Sequence, residues 1–395
     1  MYLAYITVGA IGHVMPTIPF VSELVKKGAR VRYFTTENMR DTIAFTGAEF
    51  TPVDTVLTDG GKAKDDIQVD FMAELPLRFL SEADCVVRQV IPELEKDLPD
   101  AIISDATAVA GRLVAKALNL PLIQVFTSYA SNENFSVAAG FPPVSDEHPA
   151  RIKARELAED FTKRYGISHI GLKEIFEWRG DFNICTLSKD FQPAGDTFGE
   201  DFFFAGAQVG TRPDAGKWKA PENGKPLIYA SLGTLFNNWP EFYKMLFAAV
   251  KDMPVNLVAS IGSSINQEDL EPIPDNVSVA PFQPQLEILP HADVFVSHCG
   301  TGSVMEAIYF GTPILGVPQM DEQFLSAGRV QELGFGMFMP SREAVTEESL
   351  RASVQKLLAE DSYRCKAAEL KEKMNASGGY IAVADNIIRF VESTK

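Results

Sequence analysis

The sequence predicts an α/β protein built from two consecutive domains, and three observations support this. The chain has 395 residues, which is long for one hydrophobic core and suits two. Short apolar strands alternate with helical stretches in two series, which begin at Tyr2 and at Leu227 and are typical of parallel sheets. Between the two series, residues 206–225 are rich in Gly, Pro, Asp and Lys with little apolar periodicity, which indicates a linker.

The amino-acid composition limits which class of protein this is and which kinds of partner it binds. The apolar fraction of 46% is typical of a packed protein, and the formal charge of −17 disfavours nucleic acid or an anionic membrane as the main partner. The four cysteines are scattered and form no CxxC motif, which favours reduced thiols in a cytoplasmic protein. The first residues lack a basic leader, and no apolar run reaches membrane-spanning length. We therefore expect a soluble cytoplasmic monomer or weak homodimer that binds small molecules.

The first series opens with a strand–turn–helix–strand unit. Residues 2–8 form the predicted strand, Gly9-Ala10-Ile11-Gly12 the turn, and residues 31–34 the next strand after an amphipathic helix. This unit is similar to the start of a dinucleotide-binding domain. However, Gly9-x-x-Gly12 is not the GxGxxG fingerprint, so a nicotinamide cofactor is disfavoured.

A histidine and an aspartate follow strands of this predicted sheet. His13 lies where the first turn becomes a helix, and the apolar strand 102–104 ends in Asp105. Parallel strands present their carboxyl ends at one edge, so the two side chains are expected to face the same cleft. A carboxylate bonded to one imidazole nitrogen fixes the tautomer and supports the ring when the other nitrogen takes a proton. Alternatively, His13 is only a polar residue that caps its turn, and Asp105 is the N-cap of a predicted helix over 107–118.

The remainder of the first series is less informative. We predict a helix over 74–98 with a kink at Pro92 and strands over 122–126, 182–187 and 201–205. Residues 127–150 are rich in Ser, Asn, Pro and aromatic side chains, which predicts a long loop that either binds a ligand or is a mobile surface segment. His148 and His169 belong to no constellation and are expected to be solvated.

The second series contains the most informative stretch of the chain, residues 282–323. Strands over 227–230, 255–260 and 277–280 precede it, and the first of these turns at Ser231-Leu232-Gly233-Thr234. The stretch itself contains a strand over 294–297, the turn His298-Cys299-Gly300-Thr301-Gly302-Ser303, and a helix that ends at Gly311. A strand over 313–317 then leads to Asp321-Glu322-Gln323.

The residues of this stretch suit a phosphorylated ligand. Gly300 and Gly302 let the backbone approach a ligand closely, and the N–H groups of the following helix point at the same place. Thr301, Ser303 and His298 add hydrogen-bond donors. One turn along the helix, Glu306 suits a ribose diol, and Glu322 with Gln323 suits sugar hydroxyls. The alternative is an ordinary glycine-rich turn with a solvated acidic end.

At this point the sequence resembles a known family. Its pattern is matched at the right spacing by the residues Pro284, Gln285, Ile288, Leu289, His291, His298, Cys299, Gly300, Ser303, Glu306, Gly311, Pro313, Pro318, Glu322 and Gln323. The segment is similar to the nucleotide-sugar motif of the UDP-glycosyltransferases, and the whole chain resembles their bacterial macrolide-glycosyltransferase branch. The resemblance implies the GT-B fold, in which two Rossmann-like domains face each other across a cleft. It also implies an acceptor-binding domain over 1–206, a linker over 207–225, a nucleotide-sugar-binding domain over 226–375, and a C-terminal helix over 376–395 that packs back on the first domain.

The resemblance also implies roles for individual residues. Phe282 and Gln285 would hold the uracil, Glu306 the ribose, and Glu322 with Gln323 the transferred sugar. The diphosphate would be held by His298, Gly300, Thr301, Gly302, Ser303, Thr234 and Ser231. His13 would be the catalytic base and Asp105 its orienting partner, while the loop 127–150, with Phe135 and Phe141, would line the acceptor pocket. Plant members have Trp at Phe282 and Trp-Asn at Thr301-Gly302, so the preferred donor sugar stays open.

The implied activity is the inverting, metal-independent transfer of a hexose from a UDP-sugar, and the expected donor is UDP-glucose. The acceptor would be a hydroxyl of a small apolar molecule such as a macrolide, a flavonoid or another phenolic. No Asp-x-Asp motif that could hold a metal ion on the diphosphate lies beside the site, and Asp65-Asp66 is expected to be an ordinary charged surface pair. No cofactor is expected. UDP is favoured over dTDP through Glu306. The alternatives are a UDP-sugar 2-epimerase, a cell-wall N-acetylglucosaminyltransferase, or a non-catalytic nucleotide-sugar-binding auxiliary protein.

Overall fold

The computed structural model describes residues 1–57, 69–140, 143–166, 171, 174–212, 218–234 and 237–395. The chain divides into two compact units. The first comprises Met1–Pro213 together with Gly378–Lys395, and the second comprises Asp214–Ser377. The second unit therefore begins inside the predicted linker, and the C-terminal segment belongs to the first unit.

The first unit contains a parallel sheet with the strand order β3-β2-β1-β4-β5-β6-β7 across its described residues. These strands are β1 (Tyr2–Ile6), β2 (Arg30–Thr35), β3 (Glu49–Pro52), β4 (Ala101–Asp105), β5 (Leu122–Phe126), β6 (Phe182–Cys185) and β7 (Phe202–Phe204). Every residue of β1, β4 and β5 is buried, as expected for central strands that are covered on both faces. Their register pairs Ile6 with Ser104 and Asp105 with Val125.

Helices cover both faces of this sheet. They are α1 (Ile11–Val14), α2 (Ile18–Lys26), α3 (Arg40–Ala44), α4 (Val69–Leu94), α5 (Val109–Ala117), α6 (Pro149–Tyr165) and α7 (Glu174–Glu177). The 3-10 turns of this part of the chain lie at Met15–Thr17, Glu37–Met39, Val137–Gly140 and Gly195–Thr197. One core cluster joins α4, α5 and α6 to one face of the sheet, and a second joins α2 to the other face.

The second unit repeats the same plan with the strand order β10-β9-β8-β11-β12-β13. Its strands are β8 (Leu227–Ser231), β9 (Asn256–Ser260), β10 (Val277–Ala280), β11 (Val294–Ser297), β12 (Ile314–Gly316) and β13 (Gly336–Phe338). Its helices are α8 (Pro240–Val250), α9 (Gln285–Ile288), α10 (Thr301–Phe310), α11 (Asp321–Glu332), α12 (Glu347–Ala359) and α13 (Asp361–Asn375). Its 3-10 turns lie at Gln267–Leu270 and Leu289–His291.

The last helix, α14 (Gly379–Ser393), packs on the first unit. Val383, Ile387 and Val391 are fully buried in the core cluster that contains residues of α2. Lys27 on the C-terminal side of α2 pairs with Asp385 at 2.8 Å. The chain therefore returns to its first unit after completing the second.

Both sheets have a topological switch point, where the chain leaves one side of its first strand and continues on the other. In the first unit this point lies between β1 and β4, and in the second it lies between β8 and β11. Ligands of doubly wound sheets bind at the carboxyl ends of the strands that flank such a point. The fold thus selects two places, one in each unit, where a functional site is expected.

Several predicted boundaries are wrong. The predicted helix over 74–98 is α4, which begins earlier and ends at Leu94, and α5 begins at Val109 rather than at 107. The predicted loop over 127–150 contains a 3-10 turn, and α6 begins at Pro149. His148 is not simply solvated, because its Nδ1 accepts the Ala150 N–H at 3.2 Å and caps α6. His169 and Asp65-Asp66 lie outside the described residues.

The glycine of the first turn has a packing role. A Cβ on Gly9 would lie 1.6 Å from the Oγ1 of Thr36, so no side chain fits there. Close packing against the residue that follows β2 therefore accounts for this glycine without a bound nucleotide. In the part of the chain that the structure describes, no helix is both long and apolar enough to cross a membrane.

Candidate active site

The switch point of the first unit brings His13 and Asp105 together. His13 lies on α1, which follows β1, and Asp105 is the last residue of β4. The His13 Nδ1 is 3.0 Å from the Asp105 Oδ2, with side-chain exposures of 28% and 0% respectively. A buried carboxylate thus contacts one nitrogen of a partly exposed imidazole, which is the geometry that the sequence predicts for a base and its orienting partner.

Asp105 is not the N-cap of the helix that follows it. The N-cap of α5 is Ala108, whereas the Asp105 Oδ1 accepts the Thr107 N–H at 2.8 Å and also contacts the Thr107 hydroxyl. One carboxylate oxygen therefore shapes the turn and the other contacts His13. The helix-cap alternative is wrong because the turn delays the start of the helix.

The electrostatics keep Asp105 ionised. Burial alone would raise the pKa of this carboxyl, but the charge and hydrogen bond of His13 and the two bonds from Thr107 outweigh it, so the pKa lies below its usual value. The carboxylate therefore remains charged at the pH values at which a histidine titrates. Its hydrogen bonds stabilise the fold above about pH 4, and that contribution is lost as the pH falls through the lowered pKa.

A buried arginine lies behind this turn. Arg112 on α5 donates to the carbonyl of Ala106 and, at 3.0 Å, to the carbonyl of Ile175. Burial lowers the pKa of its guanidinium to about 10, although the Asp105 charge opposes that change. Arg112 is thus still charged near neutral pH, and it holds the residue that directly follows Asp105.

Sequence reasoning missed Thr127. This residue directly follows β5, and its Oγ1 lies 3.1 Å from the His13 Nδ1 and 3.5 Å from the Asp105 Oδ2. The sequence signal for Thr127 is a hydroxyl directly after an apolar strand, which is the same position relative to a strand that identifies Asp105. This signal is weak because Thr127 also begins a stretch whose composition is typical of a loop.

The aromatic residues proposed for the acceptor pocket are only partly described. The Phe135 ring is half-buried and packs on Tyr129 with a centroid distance of 6.0 Å, and Tyr129 stacks on Phe191 at 6.0 Å. Phe141 lies outside the described residues. Phe135 therefore belongs to an aromatic cluster of the first unit, and its contact with an acceptor stays a prediction.

The switch point of the second unit carries the predicted phosphate turn. Gly300 is the N-cap of α10, so Thr301, Gly302 and Ser303 form the first turn of that helix. The first N–H groups of a helix have no intrahelical acceptor and favour an anion. A Cβ on Gly302 would meet nothing within 4 Å, so packing does not explain why this position is glycine.

His298 lies beside this turn. A Cβ on Gly300 or on Gly233 would come within 2.6 Å of its ring. Burial lowers the pKa of His298 to about 4, although a hydrogen bond to the Ser231 backbone opposes that change. Its Nδ1 is inaccessible and has no partner among the described residues. The His298 ring thus packs against the Gly233 and Gly300 turns, and its donation to a phosphate stays a prediction.

The residues predicted for the nucleoside contact each other. Gln285, the first residue of α9, donates its Nε2 to the Glu306 Oε2 on α10 at 2.5 Å. Glu306 is only 8% exposed. Phe282, which follows β10, is 67% exposed, a large exposure for an aromatic side chain. The predicted uracil and ribose residues thus lie on neighbouring elements of one unit.

The remaining predicted donor residues lie at the same sheet edge. Ser231 ends β8, and its Oγ accepts the Gly233 N–H at 3.3 Å, while Thr234 is exposed. Glu322 is exposed in the first turn of α11. Gln323 is buried, and its Oε1 accepts the Gln319 N–H at 2.8 Å. One end of the Gln323 amide is therefore used to hold the loop before α11.

Two further findings concern metals and thiols. Among the residues that the structure describes, no group of three His, Cys, Asp or Glu side chains is arranged to hold a metal ion. The four cysteines are free thiols, and burial raises the pKa of Cys185 to about 12. None of the chemistry described above uses a thiol.

The fold and these two sites define the class of protein. Two Rossmann-like units, each with a polar site at its switch point, form the fold of the GT-B glycosyltransferases, as predicted. The structure of CalG4, the calicheamicin glycosyltransferase, matches 99% of this chain and 98% of its own length with a TM-score of 0.89 and 28% identity. The fold prediction is confirmed.

Sequence comparison identifies the family. The chain is 35% identical to NDP-glycosyltransferase YjiC of Bacillus subtilis, over 100% of this chain and 98% of the relative. It is 31% identical to demethyllactenocin mycarosyltransferase of Streptomyces fradiae, over 98% of this chain and 86% of the relative. Residues 244–390 match the family model for the C-terminal domain of erythromycin biosynthesis protein CIII-like proteins. The chain therefore belongs to the macrolide-type branch of the GT-B glycosyltransferases and is a glycosyltransferase.

Proposed function

We propose that this enzyme transfers a hexose from UDP-glucose to a hydroxyl group of a small, largely apolar natural product, with inversion at the anomeric carbon. The observation that carries this proposal is the 3.0 Å contact between the His13 Nδ1 and the buried Asp105 carboxylate. An ionised Asp105 selects the tautomer with the proton on Nδ1, which leaves the lone pair on Nε2. Nε2 is then the atom that takes the proton of the acceptor hydroxyl.

The chemical step follows from this assignment. As Nε2 removes the hydroxyl proton, the acceptor oxygen attacks the anomeric carbon and forms the glycosidic bond. The bond from that carbon to the diphosphate oxygen breaks, and its electron pair leaves with UDP. Asp105 stabilises the imidazolium that forms. One displacement of this kind inverts the configuration at the anomeric carbon.

The donor site is assigned to the second unit. The first turn of α10, with Gly300, Thr301, Gly302 and Ser303, stabilises the charge of the diphosphate leaving group with N–H and hydroxyl groups. His298, Ser231 and Thr234 are assigned to the same diphosphate. Glu306 accepts hydrogen bonds from the ribose hydroxyls, Phe282 stacks on the uracil, and Gln285 binds its edge. Glu322 and Gln323 are assigned to the sugar. A ribose 2′-hydroxyl gives Glu306 one more donor, which favours UDP over dTDP.

The acceptor class is supported by the relatives. One is named for transferring mycarose to demethyllactenocin, another is named an oleandomycin glycosyltransferase, and a structural neighbour is the calicheamicin glycosyltransferase. By analogy we propose macrolides, flavonoids and other phenolics as acceptors. The relatives reported above are named as NDP-glycosyltransferases or as glycosyltransferases of natural products, so they do not support an epimerase, a cell-wall transferase or a non-catalytic protein.

Mass spectrometry of reaction mixtures tests this proposal. UDP-glucose is paired with a panel of macrolide and phenolic acceptors, in EDTA-treated buffer and again with manganese, and dTDP-glucose serves as the comparison donor. The expected result is a hexose mass gain from UDP-glucose that does not require manganese. No gain from any donor, or conversion of the UDP-sugar without an acceptor, would contradict the transferase assignment. A gain that appears only with manganese would contradict metal independence.

Gly302→Ala separates a structural role for the glycine turn from a ligand-binding role. Gly302 lies in α10 with open space around the added Cβ, so the substitution is expected to stabilise the protein by about 0.5–1 kcal/mol. A diphosphate bound at this turn as proposed would be crowded by the added Cβ, so the donor KM is expected to rise about tenfold or more. Urea unfolding and donor titration measure the two effects. Unchanged donor binding would remove the phosphate from this turn.

A further inference from the structure

Three polar groups from separate elements meet at the switch point of the first unit. His13 follows β1, Asp105 ends β4, and Thr127 follows β5. The distances are 3.0 Å from the His13 Nδ1 to the Asp105 Oδ2, 3.1 Å from Nδ1 to the Thr127 Oγ1, and 3.5 Å from that Oγ1 to the same carboxylate oxygen. Thr127 is only 8% exposed, so the triangle is largely shielded from water.

The proton positions in this triangle follow from the charge of Asp105. If Nδ1 lacked a proton, its lone pair would face a carboxylate oxygen at 3.0 Å, which is repulsive. The proton therefore lies on Nδ1, and the ring donates to Asp105 with the Thr127 oxygen as a second, nearby acceptor. The Thr127 hydroxyl can in turn donate to the Asp105 Oδ2, which lies 3.5 Å away. One arrangement of protons is thus compatible with all three contacts.

The orientation of the His13 ring depends on such contacts. His13 lies on a helix of 4 residues, and its side chain is 28% exposed. The terminal torsion of a histidine side chain has a broad energy profile, so rotamer preference alone fixes the ring plane poorly. Two acceptors that belong to different strands restrict the rotation of the ring more than one acceptor does. A base must hold its reacting nitrogen within hydrogen-bond reach of the acceptor hydroxyl.

We propose that Thr127 is a positioning residue, which fixes the plane of the His13 ring and the proton on Nδ1 through its contacts with His13 and Asp105. This inference rests on the proposed function, in which His13 is the base. Thr127 then contributes only to reactions in which a proton must be removed. A threonine that merely satisfied a buried hydroxyl, or that contacted the donor, would affect every acceptor equally.

The test compares two acceptors of the wild-type enzyme that differ in acidity. One is an aliphatic alcohol, and the other is a phenol that is already ionised at the assay pH and needs no base. Thr127→Val removes the hydroxyl and keeps the shape of the side chain, while Thr127→Ser keeps the hydroxyl. For the alcohol, we expect Thr127→Val to lower kcat about tenfold, with donor and acceptor KM nearly unchanged. For the ionised phenol, we expect a loss below about twofold, and we expect Thr127→Ser to recover most of the wild-type kcat.

Two outcomes would overturn the inference. Equal losses of kcat for both acceptors, or a rise in donor KM, would mean that Thr127 acts on folding or on substrate binding instead. An alcohol kcat for Thr127→Val equal to that of the wild type would mean that Asp105 alone positions the ring. Failure of the proposed function looks different, because His13→Ala would then leave transfer to the alcohol unchanged. Urea unfolding of each variant shows that the measured protein is folded.

Discussion

Replacing His13 with alanine is expected to lower kcat for an aliphatic hydroxyl acceptor by about 10³-fold, because general-base catalysis contributes a factor of about 10²–10⁴. The donor KM is expected to stay within about twofold of the wild-type value, since the residues proposed to bind the donor lie in the other unit. Asp105→Asn is expected to cause a loss in the same range, because an amide oxygen supports the imidazolium less well than a carboxylate. Steady-state kinetics with UDP-glucose and one alcohol acceptor measure both effects.

The pH profile provides an independent check on the His13 assignment. As the pH falls, a histidine base becomes protonated and loses its acceptor lone pair, so the rate falls on the acid side. The pKa of Asp105 is below its usual value and that of His298 is about 4, so neither group changes charge near pH 6–7. An acid-side loss of rate that is present in the wild type and absent from the residual activity of His13→Ala is therefore assigned to His13.

His148→Ala is the control for these measurements. His148 caps α6 through the Ala150 N–H, so its removal is expected to cost about 1 kcal/mol of stability and to leave kcat unchanged.

If His13→Ala kept more than about a tenth of the wild-type rate with the alcohol, His13 would not be the base.

Ile387→Asp is expected to destabilise the first unit by about 4 kcal/mol or more. Ile387 lies on α14 with no exposed surface and packs in a core cluster that contains α2. A carboxylate placed there loses its hydration and has no cationic partner in that apolar cluster. Most natural domains have only about 5–15 kcal/mol of stability, so the unfolding transition is expected to shift strongly. Urea unfolding followed by circular dichroism measures the shift.

The same helix provides a matched control. Ile381 is 47% exposed on α14, so Ile381→Asp makes the same chemical change at the surface and is expected to cost less than about 1 kcal/mol. Equal effects of the two substitutions would show that α14 is not held by burial of one face. The unit to which the end of the chain belongs would then need to be assigned again.

The central strands were predictable because their signal is local and strong. Residues 122–126 and 294–297 are short apolar runs bounded by polar turns, and the observed β5 and β11 have the same bounds. A strand that is buried on both faces must be apolar at every position. The turn at Gly300 was equally clear, because glycines at fixed positions directly before an apolar helix are typical of a strand-to-helix turn.

The edge strands and one long helix were missed for physical reasons. β3 (Glu49–Pro52) and β13 (Gly336–Phe338) are short and not fully buried. They are strands because each pairs in parallel with the strand that precedes it in the chain, Arg32 with Glu49 and Ile314 with Gly336. The residues that α6 buries are mainly alanines, namely Ala150, Ala154 and Ala158, with Phe161, and these give a weak amphipathic signal. Tertiary contacts decided these elements.

The sequence by itself determined the fold class, the family and the meeting of His13 with Asp105 at one sheet edge. Those properties depend on residue type and on spacing within a few turns, which local rules describe. Only the tertiary structure decided that Thr127 joins His13 and Asp105, and that the His298 ring packs against Gly233 and Gly300. Such contacts join residues 92 and 114 positions apart, as for His13 with Asp105 and with Thr127. Their geometry arises from the packing of whole strands, which no local pattern records.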